Sequence, residues 1–415
     1  MKPTLSKTAN KEQSPQENSF HLTQVITMAA AHAAHDIYTG FLAPLLPILI
    51  DDLSLLKVQG GLLSAFLLWP SVLQPVFGRI ADRSDLKKYV FLAPAITAIF
   101  MSLLGVSRNF TMLAIMLLIA GISSAGFHAI APAMAGRISG NKIGKGMSFW
   151  MVGGELGWMI GPIVIISVVT LFSVQATPWL MIGGIAASCV LFFLFKDIHA
   201  RTPPLNSGIS LNSSLKAIMP MMLPMVGMIT ARSLMRGASH SFLPVYLTEQ
   251  GAGLWLAGTS QSIQLGAGVI GTLIGGSIRD RIESKTIILI SILGSILFMV
   301  LFLHTQGVYQ IITLLFMGLF SIMVQPVNMA MVQEYSPESR SLANGLYLAL
   351  LFSINAVAGI VIGYLYDQFG GYQAFLWSAI VGVAGIPFVF LLPDTEKREL
   401  NKSPKVRFLQ QDEND

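Results

Sequence analysis

Long apolar stretches alternate with short polar ones along the whole chain. Twelve stretches are long enough to cross about 30 Å of hydrocarbon as helices. They run over residues 22–50, 59–81, 88–107, 110–136, 145–170, 178–195, 216–247, 253–278, 286–304, 308–332, 341–366 and 372–392. Six precede a polar segment rich in Ser, Asn and Pro, and six follow it. The pattern predicts an all-α polytopic membrane protein built from two six-helix bundles, over 22–195 and 216–392. A cytoplasmic linker over 196–215 joins them, and polar cytoplasmic tails over 1–21 and 393–415 flank them.

Composition agrees with lipid as part of the solvent. The chain is 53% hydrophobic and 11% charged, against roughly 25% charged residues in a soluble domain. Placement of the basic residues sets the orientation. With the N-terminus inside, 22 of the 26 Lys and Arg fall in inner segments, whereas Lys57 and Arg108 fall outside and Arg232 and Arg236 lie within the seventh span. Both termini are therefore expected in the cytoplasm. The net charge of +5 follows the membrane topology and carries no nucleic-acid signal. The single Cys189 excludes an intrachain disulfide and a cysteine metal cluster.

One charged turn occurs twice. Gly78-Arg79-Ile80-Ala81-Asp82-Arg83 ends the second span, and Gly276-Ser277-Ile278-Arg279-Asp280-Arg281 ends the eighth, 198 positions later. Repetition at matching places between apolar segments is the mark of a membrane protein built from two homologous halves. Gly78 and Gly276 are expected to let helices approach closely. Asp82, Arg83, Asp280 and Arg281 are expected to form the inner gate, each carboxylate capping a neighbouring helix and pairing with a cytoplasmic arginine. Prolines within the spans, among them Pro70, Pro132, Pro162 and Pro326, suit helices that bend as the bundles rock.

Ionisable groups inside a span are costly, so each is a candidate for function. The first span holds His32, His35 and Asp36, the fourth His128, the fifth Glu155, and the seventh Arg232, Arg236 and His240. His32 and Asp36 share a helix face at i,i+4, and the seventh-span groups form a stripe at the same spacing. The first and seventh spans occupy matching positions in the halves, so a central cavity receives both sets. Two arginines suit an anion, whose oxygens match their fork; the alternative is a structural ion pair from Asp36 to Arg232 or Arg236. The expected substrate-binding set is His32, His35, His128, Arg232, Arg236 and His240. Asp36 and Glu155 are the candidate proton carriers, because protonation removes a charge that hydrocarbon disfavours. Three histidines and an acid admit a transition metal in principle, but they lie on separate helices and no metal is expected. Gly153, Gly157, Gly161 and Pro162 place small residues at spacing four in the fifth span and predict close helix packing.

The duplicated Gly-x-x-x-Asp-Arg turns resemble those of major facilitator superfamily transporters, and the likeness extends over nearly the whole chain. It implies twelve spans in two pseudo-symmetric bundles and alternating access to a central site. The fifth-span Gly153, Gly157 and Gly161-Pro162 resemble a feature of proton-coupled drug antiporters. The His32-Ala-Ala-His35-Asp36 run, the Phe127-His128 pair and Gly153-Gly154-Glu155-Leu156-Gly157 are similar to the fosmidomycin-resistance branch, although Ala129 stands where that branch has proline. This resemblance implies proton antiport exporting a small anionic antibiotic across the bacterial inner membrane, by a monomer without cofactor. The alternatives are proton-coupled import or exchange of an anionic metabolite or siderophore, and a membrane receptor or scaffold. No nucleotide-binding motif or nucleophile-base arrangement points to an enzyme.

Overall fold

The computed structural model describes residues 20–81, 87–139, 143–195, 211–279, 281–335 and 340–393. These residues form twelve helical spans and no strand. Eleven spans have the length and hydropathy of membrane helices, including Leu22–Asp52, Phe110–Gly136, Gly146–Leu171 and Lys216–Ser241. The remaining span, Leu254–Ile278, is long enough at 25 residues. It is less apolar because Thr259, Ser260, Gln261, Ser262 and Gln264 turn inward and are buried.

Breaks within the spans have local causes. The first span is two helices, Leu22–Thr39 and Leu42–Asp52, interrupted at Gly40. Pro70 lies in a 3-10 segment, Trp69–Leu73, between Lys57–Leu68 and Gln74–Ala81 of the second span. Proline has no amide hydrogen for the α-helical ladder, so the chain tightens there.

The two halves repeat the same packing. The first span packs on the fifth as the seventh does on the eleventh. Likewise the third packs on the fourth and sixth, and the ninth on the tenth and twelfth. The halves meet along two seams, second span against eleventh and fifth against eighth.

The apolar core is joined at one end and divided at the other. A single cluster takes Phe41, Leu45 and Leu63 from the first half together with Met235, Phe242 and Tyr246 from the second. Toward the end where residues 20 and 393 lie, the core splits. Val25, Phe127 and Trp150 belong to a cluster confined to the first half, and Met225, Ile288 and Tyr347 to one confined to the second. Large apolar side chains such as Phe193, Leu223 and Ile380 face outward, as hydrocarbon around the bundle permits.

Candidate functional site

His32, His35 and Asp36 project from the first span into a cluster completed by His128 of the fourth. Asp36 Oδ2 lies 3.1 Å from His32 Nε2, Asp36 Oδ1 2.9 Å from His35 Nδ1, and the same carboxylate 3.6 Å from His128 Nε2. The rings are held from behind. His32 Nδ1 lies 2.8 Å from the Trp150 carbonyl, and His128 Nδ1 2.9 Å from the Ser124 carbonyl. A carbonyl oxygen only accepts, so both histidines donate from Nδ1 and turn Nε2 toward Asp36, as a lone pair when the ring is neutral and as an N–H donor when it is protonated. Those two Nε2 atoms are 3.1 Å apart. Trp150 stacks on His32 at 3.9 Å and Phe127 on His35 at 4.4 Å between ring centroids. Separation on different helices, the reason against a metal in the sequence, does not survive folding: His32, Asp36 and His128 offer atoms within 4.8 Å of one another.

The seventh-span arginines take different positions. Arg232 donates to Ser291 Oγ at 3.2 Å and to the Ser321 carbonyl at 3.0 Å, which ties it to the ninth and tenth spans. Arg236 makes no hydrogen bond or ion pair within 4 Å among the described residues. Both line a pocket with Gln325, Asn328, Tyr347 and Asn355. The oxygens of the Asn328 and Asn355 side chains are buried there without a protein partner. The structural ion pair weighed above does not form: Asp36 is engaged by histidines, and Arg232 by the ninth and tenth spans.

Glu155 is half-buried on the fifth span. It interacts electrostatically with Arg236 of the other half and with Asp36 of its own. His240 departs from the arginine stripe. Its ring lies 5.1 Å from Trp158, its carbonyl accepts from Gln261, and its Nε2 has no protein partner.

The fifth span seats on the first at intervals of one turn. A Cβ on Gly153 would meet the Ala29 carbonyl at 2.2 Å, one on Gly157 the Ala33 carbonyl at 2.5 Å, and one on Gly161 the Ile37 carbonyl at 2.3 Å. A Cβ on Gly40 would lie 3.4 Å from Pro162 Cδ. The same seating sets Gly154 against the His32 ring, where a Cβ would meet Cε1 at 2.5 Å.

Of the expected gating residues, Asp82, Arg83 and Asp280 lie outside the described residues. Gly78 falls in the helix Gln74–Ala81. Gly276 requires a correction. A Cβ there would meet nothing within 4 Å among the described residues, and the close approach to the tenth span is at Gly271 and Gly275 instead. Arg281 is exposed, while its neighbour Arg279 pairs with Glu334.

Sequence reading missed a network at the end opposite residues 20 and 393. Asp367 accepts from the backbone N–H groups of Lys57 and Val58, both at 2.8 Å. Lys57 Nζ lies 3.0 Å from Glu249, and Tyr366 donates to Glu249 at 2.5 Å. These contacts join the second span to the seventh and eleventh. The charged members read as ordinary loop charges, and only their partners, 117 to 310 positions away, distinguish them.

The sequence model of the Major Facilitator Superfamily matches residues 28–312 and 234–411. The chain is 23% identical over 392 residues to the fosmidomycin resistance protein of Escherichia coli (strain K12), covering 92% of this chain and 95% of that protein. A bacterial homolog to the human lysosomal transporter Spinster, in an inward-facing and unoccupied conformation, superposes with a TM-score of 0.75 at 13% identity. That match covers 93% of this chain and 98% of the other. The D-xylose-proton symporter superposes with a TM-score of 0.69 at 14% identity, over 90% of this chain and 98% of its own. At these identities the structural likenesses speak for the fold.

Proposed function

The chain belongs to the major facilitator superfamily, and from that premise we propose that it couples the movement of a small anion to protons in a bacterial inner membrane. It is a secondary transporter, not an enzyme. The observation that carries the anion reading is Arg236, a cavity-lining guanidinium without a protein partner within bonding distance. A buried cation is costly unless it meets an anion, and a planar fork favours a carboxylate, phosphate or phosphonate.

Glu155 supplies the coupling. Ionised, it competes electrostatically with the anion for Arg236. Protonated, it leaves Arg236 to the substrate. We place the coupling proton on Glu155 because it is the carboxylate that interacts with Arg236, whereas Asp36, the other carboxylate expected to exchange protons, has its contacts with His32, His35 and His128. The sign of this linkage decides the direction. Protonation strengthens anion binding and, reciprocally, the anion strengthens protonation. Ligands that bind together travel together. Uptake or exchange of an anionic metabolite by proton symport is therefore the favoured reading. Export of an anionic antibiotic by antiport is the second, prompted by the resistance protein among the relatives.

Proteoliposomes with an imposed pH gradient test this, using a panel of carboxylates, phosphates and phosphonates with cationic drugs as controls. Accumulation of an anion on the alkaline side is expected. Arg236→Ala should weaken anion binding roughly 10–150-fold, from about 1.5–3 kcal/mol of charge-assisted hydrogen bonding. Glu155→Gln should retain anion exchange and lose its dependence on the gradient. A response to cations, or an anion response untouched by Arg236→Ala, would remove the anion reading.

A further inference from the structure

The cluster formed by His32, Asp36 and His128 has the geometry of a metal centre. Tetrahedral Zn²⁺ with ligand bonds of roughly 2.0–2.1 Å separates its ligand atoms by about 3.3 Å. Here the separations are 3.1 Å between the two Nε2 atoms, 3.1 Å from His32 Nε2 to Asp36 Oδ2, and 3.6 Å from His128 Nε2 to Asp36 Oδ1. The two imidazoles meet different oxygens of the same carboxylate, Oδ2 for His32 and Oδ1 for His128, and one ligand atom from each of the three residues falls within 4.8 Å of the others, around a space that one ion can fill.

Tautomers and supporting contacts point the same way. Both imidazoles present Nε2 because Nδ1–H of each is committed to a backbone carbonyl, of Trp150 and of Ser124. This is the outer-shell arrangement that orients metal-bound histidine. Asp36 is braced in turn: His35 donates Nδ1–H to Oδ1 at 2.9 Å, and Thr97 Oγ1 lies 3.1 Å from the other nitrogen of that ring. Stacking by Trp150 and Phe127 fixes two of the ring planes. In neutral rings the two Nε2 lone pairs and the carboxylate converge and repel one another, so the cluster calls for positive charge, from a cation at its centre or from protons on the Nε2 atoms. His128, whose side chain is 28% exposed, leaves the fourth direction accessible, whereas Asp36 and His32 are buried.

We propose that His32, Asp36 and His128 bind one divalent transition metal ion of the Zn²⁺ class, with a fourth coordination position open. Two imidazoles and a carboxylate suit Zn²⁺, Co²⁺ or Ni²⁺ better than Ca²⁺ or Mg²⁺. The site is independent of the anion reading, since its ligands come from the first and fourth spans and do not include Arg236 or Glu155. A single shared proton is the other occupant that meets the charge requirement, and the test separates the two.

The purified full chain in detergent at neutral pH is titrated with Co²⁺ and then with Zn²⁺. The expected result is one equivalent of Co²⁺ with the visible absorption of four-coordinate Co²⁺, displaced by Zn²⁺. His32→Ala and His128→Ala should each weaken binding at least about 10-fold, the lower end of what even outer-shell changes cost. Arg236→Ala should bind as the wild type does, whatever becomes of anion transport. Size exclusion and circular dichroism establish that the variants are folded. X-ray absorption at the zinc edge of the loaded wild type supplies a readout that needs no variant, and two imidazoles in the inner shell are expected. Absence of stoichiometric binding, binding indifferent to both histidine substitutions, or an inner shell without imidazole would overturn the proposal and leave the cluster as a proton site.

Discussion

Arg232 and Arg236 lie one turn apart and look equivalent in sequence, yet their surroundings divide them. Arg232 is bonded to Ser291 and the Ser321 carbonyl; Arg236 faces the pocket with its fork unused. Loss of the first should therefore act on stability and loss of the second on binding. Arg232→Ala removes two charge-assisted hydrogen bonds that tie the seventh span to the ninth and tenth, costing about 1.5–3 kcal/mol, and should lower the Tm in detergent. Arg236→Ala should leave the Tm near that of the wild type. A thermal-shift comparison of the two variants checks the division, and equal Tm losses would contradict it. The i,i+4 spacing made both stripes legible, His32 with Asp36 and Arg232 with Arg236. It carried no information about Ser124, Trp150, Ser291 or Ser321, because those partners come from other helices.

At the scale of elements, the first and fifth spans behave as one unit. Gly153, Gly157 and Gly161 follow the backbone of Ala29, Ala33 and Ile37 turn by turn. The Cβ of a substituent at Gly157 would also lie 2.9 Å from the Asp36 Cβ. Gly157→Val should accordingly force the helices apart, at a cost of about 1–3 kcal/mol for overpacking. It should also displace Asp36 from His128. Thermal unfolding reads the first effect, and metal titration of the same variant reads the second. Small residues at spacing four marked this contact in the sequence. The same logic failed at Gly276, because a glycine pattern does not reveal whether a partner helix lies on that side. The fold places the tenth span beside Gly271 and Gly275 instead.

The whole molecule is sealed at one end and divided at the other, as a shared apolar cluster gives way to two separate ones. The seal has a polar lock. Asp367 caps the helix that starts at Lys57, where free amide groups and the helix dipole favour a carboxylate, while Glu249 joins Lys57 to Tyr366. Asp367→Asn keeps the shape and removes the charge. Charge-assisted bonds of this kind contribute about 1.5–3 kcal/mol, so the opposite, open conformation should become at least roughly 10-fold more populated. Ser64 is buried beside this seam. In a Cys189→Ser background, a cysteine placed at Ser64 should be labelled faster by a membrane-impermeant thiol reagent once Asp367→Asn is added. An unchanged labelling rate would show that the network does not hold the end closed.

Sequence alone determined the number of spans, their approximate ends, the duplication and the short roster of intramembrane charges. Those properties are local: a span needs only its own apolar length, and a charge in hydrocarbon stands out against its neighbours. Tertiary structure decided which charges meet. It drew His128 to His32 and Asp36, withheld Arg232 from the acids, brought Arg236 within electrostatic range of Glu155, and locked Lys57 to Glu249 and Asp367. Such pairings depend on how twelve helices cross. Lipid solvates every apolar helix face about equally, so hydrophobicity cannot choose the crossing; it follows from close backbone contacts and the few hydrogen bonds available inside the bundle.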